Sequence, residues 1–225
     1  MFYKITTISN QKYLLFSDLH ILHNNIFDYE PDSRKIINKK LKLPIKDNNY
    51  YKLFSDKIFD LVNKEKVDFI INLWDFFFNL WKSKYKKNKS IIDKRKKLNM
   101  LLILWNHDVS KPNKVNKLKF DEKWNILNLE ETKDSILVLN LFKVKAFHIK
   151  EDKNNLYIFT HYPLGSLKAN WQTYWFFYNI EQYLLDYIST TNKKIINFHW
   201  HIHSKKFVVN NNIEYLNICI DYLVK

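Results

Sequence analysis

The chain has almost no glycine. Gly165 is the only glycine among 225 residues, whereas a chain of this length at the usual abundance of roughly 7% would hold about 16. Glycine allows positive φ and close approach of the backbone to a ligand, so its shortage is unexpected in a protein whose loops carry chemistry. Seven tryptophans are present instead, at positions 74, 81, 105, 124, 171, 175 and 200.

Cysteine and long apolar runs are also scarce. Cys219 is the only cysteine, which excludes an internal disulfide framework and a cysteine-based zinc site and leaves it as a small buried residue on a late strand. No run approaches the roughly 18 apolar residues of a membrane span, and the N-terminus does not have the pattern of a signal peptide. We therefore expect a cytoplasmic protein without a membrane partner, folded as one domain over residues 1–225.

Arginine is scarce although the chain is strongly basic. The formal charge is +14, and Arg34 and Arg95 are the only arginines among 37 basic residues. Lysines that neutralise phosphates favour a nucleic-acid partner. However, Lys, Asn, Ile, Phe and Tyr all have AT-rich codons, so a biased genome accounts for much of the charge. The densest basic stretch, residues 82–97, is either a solvated face or a rim that attracts phosphate. No obligatory protein partner is indicated.

Short apolar runs alternate with stretches of helical spacing. Residues 49–64 and 171–188 have helical periodicity, and residues 136–139 and 144–148 are predicted to be paired strands. Alternation of this kind predicts an α/β fold whose sheets are covered by helices and whose ligands gather at the carboxyl ends of strands. Five further runs are predicted strands, at 13–16, 67–73, 101–104, 156–159 and 195–198.

Each of these five runs is followed by a segment rich in Asp, Asn and His. The segments are Ser17-Asp18-Leu19-His20, Trp74-Asp75, Trp105-Asn106-His107-Asp108, Thr160-His161 and His199-Trp200-His201-Ile202-His203. Their types and order resemble the motifs of the calcineurin-like metallophosphoesterases, from near the start of the chain to near its end. The resemblance implies a four-layer αββα sandwich, with two mixed β-sheets flanked by helices, and hydrolysis of a phosphate ester.

The resemblance also implies a two-metal site. Asp75 would bridge the two ions. One ion would be completed by Asp18, His20 and His203, and the other by Asn106, His161 and His201. Such nitrogen and oxygen ligands suit manganese first, with iron, zinc, nickel or cobalt as alternatives. The implied reaction is cleavage of a phosphomonoester or phosphodiester by a hydroxide bound between the two metals.

Two residues of the third segment have implied catalytic roles. His107 would protonate the leaving oxygen or stabilise developing charge, and Asp108 would orient its ring. A subgroup of small bacterial and phage phosphoesterases is similar in its first loop and in a following Tyr-Glu-Pro and Arg. That similarity makes His23 and Arg34 candidates for substrate contact, with an ordinary loop histidine and a surface arginine as the alternatives.

Trp74, Trp105 and Trp200 stand where the family motifs have glycine. We hypothesise that the gene uses UGA for glycine and that the printed sequence translates UGA as tryptophan. If the tryptophans are genuine, the turns around both metals are rebuilt, and the alternative function is a non-catalytic binding or scaffold protein. A metal-dependent nuclease acting on DNA or RNA is the enzymatic alternative, because a basic chain rich in aromatic residues is suited to phosphates and stacked bases.

Overall fold

The computed structural model describes residues 3–16, 31–43, 50–73, 100–103, 119–120, 126–128, 143–166, 175–199 and 212–218. Its elements in chain order are β1 (Lys4–Ile8), β2 (Gln11–Phe16), α1 (Pro31–Leu41), α2 (Tyr50–Glu65), β3 (Phe69–Asn72), β4 (Met100–Ile103), β5 (Lys119–Phe120), β6 (Ile126–Asn128), β7 (Lys143–Lys145), β8 (His148–Glu151), β9 (Asn155–Phe159), α3 (Trp175–Ser189), β10 (Lys194–His199) and β11 (Ile213–Asn217). No helix in these ranges combines the length and apolar character needed to span a bilayer.

The first sheet contains five described strands in the order β1-β2-β3-β4-β7. β1 forms an antiparallel hairpin with β2, and the other neighbours are parallel. The register places Leu15 opposite Ile71, Ile71 opposite Leu101, and Leu101 opposite Lys143. The last four residues of β2 are buried, as expected for a parallel strand that is covered on both faces.

The second sheet contains four described strands in the order β11-β10-β9-β8. β9, β10 and β11 are parallel, whereas β8 is antiparallel to β9. Phe198 at the centre of this sheet is paired with Phe159 on one side and Leu216 on the other. Both sheets are therefore mixed. β5 and β6 form a separate antiparallel pair.

The two sheets contact each other, and the helices add to the same core. The Lys150 ammonium on β8 lies 5.9 Å from the centroid of the Phe69 ring on β3. Ile37 of α1, Ile58 of α2 and Leu184 of α3 are each fully buried in one hydrophobic cluster with the strands. The architecture is an α/β fold in which two mixed sheets pack together and each long helix contributes apolar side chains.

The five predicted strands and both predicted helices are observed within the described ranges. One strand prediction is wrong, because residues 144–148 do not form a single strand. β7 ends at Lys145 in the first sheet, and β8 begins at His148 in the second. Ala146 and Phe147 between them are buried, so the apolar residues that suggested one strand lie where the chain crosses between the sheets. Residues 136–139 lie outside the described ranges.

Helix α1 was not predicted, although local signals mark both of its ends. Pro31 occupies the first position and Asp32 lies in the first turn, where a fixed φ and a negative charge are favourable. At the other end Lys42 has φ 54°, and the Leu43 amide donates to the Asn38 carbonyl at 2.8 Å. This is a Schellman C-cap with lysine at the position that usually holds glycine.

Candidate metal centre

The five segments predicted to carry the site each begin close to the end of a described strand. β2, β3 and β4 are parallel neighbours in the first sheet, and β9 and β10 are parallel neighbours in the second. Their last residues are Phe16, Asn72, Ile103, Phe159 and His199. The segments therefore leave from the carboxyl ends of two blocks of parallel strands, where α/β proteins place their ligands.

Contacts between the sheets show that the two blocks run in the same direction. Near the start of β2, the Ser9 hydroxyl donates to the Glu151 carbonyl at 2.9 Å, and Glu151 pairs with Leu156 near the start of β9. Lys4 on β1 pairs with Leu15 near the end of β2. Its ammonium lies 5.6 Å from the centroid of the Phe198 ring, and Phe198 is one residue before the end of β10. The carboxyl ends of both blocks thus lie at the same end of the core.

His161 is the one predicted metal ligand that falls within the described residues. It follows β9 by two positions and retains only 2% of its surface exposed. Its ring meets the Tyr162 ring edge-on, with centroids 4.6 Å apart. His161, Thr160 and Glu181 help to line a small cavity of about 20 Å³, which is enough for about one water molecule.

Hydrogen bonds from β10 fix the backbone on both sides of His161. The Thr160 amide donates to the Phe198 carbonyl at 3.0 Å. The Asn197 side chain donates to the Thr160 hydroxyl at 2.8 Å and accepts from the Leu164 amide at 2.9 Å. Asn197 has no exposed surface. One buried amide side chain therefore holds the residue before His161 and the residue three positions after it.

Two further side chains hold the far end of the same loop. The Tyr215 hydroxyl on β11 donates to the Leu164 carbonyl at 2.7 Å. The Glu181 carboxylate on α3 accepts from the Ser166 amide at 3.0 Å. Between these anchors lies Gly165 with φ 82°, a conformation that glycine adopts without the steric cost of a Cβ atom. The only glycine of the chain therefore stands where the loop turns.

His199 ends β10 directly before the last predicted segment. It is 1% exposed, its ring meets that of Tyr215 edge-on with centroids 6.0 Å apart, and its carbonyl accepts from the Ile218 amide at 2.8 Å. These contacts place it as a buried strand-end residue.

A second histidine outside the predicted site is half-buried in an apolar setting. His148 on β8 packs against the Phe159 ring, with centroids 5.8 Å apart. Burial, reinforced by the charges of Lys145 and Lys150, lowers the pKa of His148 to about 4. It also lines a cavity of about 160 Å³ between the sheets, together with both lysines and with apolar side chains such as Phe69. The ring is therefore neutral at pH 7 and belongs to the packing of the sheets.

Apart from His161 and Arg34, the predicted site residues lie outside the part of the chain that the structure describes. Arg34 lies within α1, with only its backbone described. Among the described residues, no group of three or more His, Cys, Asp or Glu side chains is arranged to hold a metal ion. The residues outside are Asp18, His20, His23, Asp75, Asn106, His107, Asp108, His201 and His203.

The residues that support the His161 loop were not predicted from the sequence. Asn197 interrupts the apolar run of β10, and Glu181 follows Ile180 on a face of α3 that is buried. A polar residue inside an apolar run is the signal that such a group has a buried partner. The partners of Asn197 and Glu181 could not be predicted, because Leu164 and Ser166 are distant in sequence and lie outside β10 and α3.

The chain matches no protein family and no curated protein sequence. Among solved structures it is similar to the protein of unknown function AQ665 from Aquifex aeolicus, with TM-score 0.49 and 16% identity over 94% of this chain and 91% of that one. It is also similar to the nuclease MPE from Pseudomonas putida, with TM-score 0.39 and 12% identity over 89% of this chain and 74% of that one. At such values neither likeness assigns a family or a function.

Proposed function

We propose that this protein is a metal-dependent phosphoesterase that hydrolyses a phosphomonoester or a phosphodiester. One observation carries the proposal: two blocks of parallel strands end at the same end of the core, and all five Asp, Asn and His segments follow these strand ends. Scattered segments that share one edge of a fold in this way are suited to a common site. We further propose one domain over residues 1–225 with the four-layer αββα arrangement.

The proposed metal ligands are nitrogen and oxygen donors that fit manganese, iron or zinc. His161 fits this role because it offers an imidazole on a loop whose backbone is fixed by buried hydrogen bonds. When bound, two cations would activate a water molecule and neutralise charge on the phosphoryl oxygens. The full proposed set is Asp75 between the ions, Asp18, His20 and His203 on one side, and Asn106, His161 and His201 on the other.

The remaining proposed roles belong to residues that handle the substrate. His107 gives a proton to the leaving oxygen, and Asp108 holds the opposite nitrogen of that ring so that the proton is presented in one direction. His23 and Arg34 contact the phosphate or its substituent, Arg34 through a forked pair of hydrogen bonds. These roles leave the group attached to the phosphate open, and both monoesters and diesters fit them.

The proposal is tested with two chromogenic substrates, p-nitrophenyl phosphate and bis-p-nitrophenyl phosphate, in the presence of Mn²⁺. The protein should carry whichever residue its source organism inserts at positions 74, 105 and 200. We expect hydrolysis that EDTA abolishes and Mn²⁺ restores. Asp75→Asn and His161→Ala should each lower kcat/KM roughly 100-fold or more, since even residues that only support a ligand typically cost 10–100-fold.

Asp186→Asn is the matched control for these variants. Asp186 is exposed on α3, so loss of its charge should leave the rate unchanged. Wild-type protein inactive with manganese, iron, zinc, nickel and cobalt alike would overturn the proposal, as would full activity in Asp75→Asn.

The charge of +14 makes a nuclease the second candidate. Binding to a polynucleotide releases counterions, so cleavage of single-stranded DNA or RNA would fall steeply as salt rises, whereas hydrolysis of the small diester would not. A steep salt dependence on a polynucleotide, with kcat/KM above that for the small diester, would assign the nuclease. Equal and weak salt dependence on both substrates would assign the small-ester phosphoesterase.

A further inference from the structure

Asn197 is a buried amide with two side-chain hydrogen bonds to the His161 loop and a third to β9. Its Nδ2 donates to the Thr160 hydroxyl at 2.8 Å and to the Ile158 carbonyl at 3.1 Å, and its Oδ1 accepts from the Leu164 amide at 2.9 Å. Asparagine is disfavoured within strands, and a buried amide must recover the cost of leaving water through hydrogen bonds. An apolar residue at this position would supply none of these bonds, including the two that reach the loop.

The Thr160 hydroxyl continues this set of bonds past His161. It accepts from Asn197 and donates to the Tyr162 carbonyl at 2.6 Å. Thr160 itself is 6% exposed, so the hydroxyl is shielded from bulk solvent. These two hydrogen bonds form a bridge that connects Thr160, before His161, to Tyr162, after it. Asn197 anchors this bridge on β10.

We propose that Asn197 is a positioning residue that sets the direction of the His161 imidazole and thereby the affinity of the neighbouring metal ion. The inference rests on the proposed function, in which His161 is a ligand. A ligand held in one orientation loses little conformational freedom when a cation binds, and groups that orient ligands typically contribute 10–100-fold to metal affinity. Asn197 acts through the Thr160 hydroxyl and the Leu164 amide, both within three residues of His161.

Two pairs of variants test the bridge. Asn197→Asp keeps an oxygen to accept from Leu164 but loses the donor to Thr160, and Asn197→Leu loses both. Thr160→Val removes only the hydroxyl while keeping the shape of the side chain, and Thr160→Ser restores the hydroxyl. If Asn197→Leu fails to fold, the two Thr160 variants still carry the test, because they leave the amide and its bonds to Ile158 and Leu164 in place.

The control is Asn155→Asp, at the opposite end of β9. The Asn155 amide group also bonds within the fold, to the Asp152 carboxylate at 3.1 Å, but it lies far along the strand from His161. The variant loses that donor just as Asn197→Asp loses its own. A general loss of stability should therefore affect both variants, whereas loss of His161 orientation should affect only Asn197→Asp and Thr160→Val.

The measurements are the Mn²⁺ dissociation constants by calorimetry, with kcat and KM for bis-p-nitrophenyl phosphate. We expect Asn197→Asp and Thr160→Val to weaken the more easily lost Mn²⁺ ion 10–100-fold and to lower kcat at saturating Mn²⁺ with little change in KM. Thr160→Ser and Asn155→Asp should match the wild type. Far-UV circular dichroism at the assay temperature establishes that each variant is folded.

The outcomes separate the positioning role from the function on which it rests. Wild-type Mn²⁺ affinity in folded Asn197→Asp and Thr160→Val, together with loss of one ion in His161→Ala, would overturn the positioning role alone. Equal Mn²⁺ binding by the wild type and His161→Ala would remove His161 as a ligand and with it the positioning role, whereas the phosphoesterase itself is decided by the activity of the wild type and of Asp75→Asn. A tenfold or larger loss in Asn155→Asp would also overturn the positioning role, since the effect would then come from general destabilisation.

Discussion

Tyr13 on β2 stacks against Phe159 on β9, with ring centroids 6.5 Å apart and 26° between the ring planes. Each ring belongs to a strand that is followed by a proposed ligand, Asp18 after β2 and His161 after β9. The contact thus joins the two halves of the candidate centre through the apolar core. Relative placement of the two ligand groups depends on how the sheets pack and not only on the loops.

Removal of the Phe159 ring should destabilise the protein strongly. The ring has no exposed surface and stacks on Phe198 at a centroid distance of 4.9 Å and an angle of 6°. Phe159→Ala should lower the free energy of unfolding by about 3–5 kcal/mol, measured by urea denaturation. Tyr187→Ala is the control, because Tyr187 is 39% exposed and its loss should cost about 1 kcal/mol or less. Similar losses for the two variants would contradict the packing.

His148 should make the protein less stable in mild acid. Its pKa of about 4, lowered by burial and then by Lys145 and Lys150, lies below the ordinary value of 6.5. The unfolded chain therefore binds a proton first as the pH falls, so the contribution of the neutral ring is complete above pH 6.5 and is lost progressively between 6.5 and about 4. The loss should approach about 3 kcal/mol.

Urea denaturation at pH 7.0 and pH 4.5, repeated on His148→Leu, measures this effect. The variant should lose much of the pH dependence in that interval, and an NMR titration of the wild-type ring should show no protonation at pH 5.5. A normal histidine titration midpoint in the folded protein would contradict the buried neutral state.

Asp152 should contribute a second pH dependence in stronger acid. The Asn154 amide, the Tyr157 hydroxyl and Asn155 donate to its carboxylate and hold its pKa at about 2, below the ordinary 3.8. A lowered carboxyl pKa stabilises the fold above 3.8, and this contribution is lost as the pH falls through about 2. The carboxyl carbon chemical shift of Asp152, followed by NMR from pH 5 to pH 1.5, checks the midpoint. Tyr157→Phe should raise the midpoint, whereas Tyr187→Phe should not change it.

Glycine substitutions in opposite directions should change stability in opposite directions. Gly165 has φ 82°, whereas Lys42 and Lys66 have φ 54° and 50°. A Cβ atom in this region costs about 1–2 kcal/mol. Gly165→Ala should therefore destabilise the protein by about that amount, and Lys42→Gly should stabilise it by up to about 1 kcal/mol at its C-cap. Denaturation midpoints compare them, with Lys40→Gly inside α1 as a control that should destabilise the helix.

The identity of residues 74, 105 and 200 can be measured directly. UGA codons at all three positions, with glycine in the peptides of the native protein by mass spectrometry, would support recoding. We then expect Trp74→Gly, Trp105→Gly and Trp200→Gly together to raise the phosphoesterase activity of a protein made with tryptophan at these positions, because a bulky ring would collide with backbone or ligand in the turns that the family resemblance implies. UGG codons and tryptophan-containing peptides would instead favour the non-catalytic binding or scaffold protein.

The sequence predicted the parts of the fold that depend on local patterns. The apolar run ending at Phe16 and the one ending at Phe198 were predicted as strands because they are short, contain aromatic or β-branched residues and are bounded by polar residues. Helix α1 was missed because its few apolar residues, such as Ile36 and Ile37, are separated from the next by Asn and Lys. Its end signals were present, but without an apolar stripe they do not identify a helix.

Long-range partners could not be predicted from the same patterns. Nothing local assigns the end of β7 and the start of β8 to different sheets, because the buried Ala146 and Phe147 between them would fit within one strand equally well. Asn197 likewise gives a signal of buried polarity but does not name Thr160 or Leu164 as its partners. Of the candidate site, the motif order was available from sequence, whereas the hydrogen bonds that hold the His161 loop required the structure.

The anchors of the His161 loop have a consequence for the order in which the protein acquires function. Asn197 follows Leu164 by 33 residues and Tyr215 follows it by 51, and contacts across such separations form slowly because closing the intervening loop costs conformational entropy. During synthesis His161 leaves the ribosome well before either anchor. We therefore expect a nascent chain that ends before β10 to be unable to hold a metal at His161. The ability to bind this metal should appear only after the C-terminal strands have been synthesised.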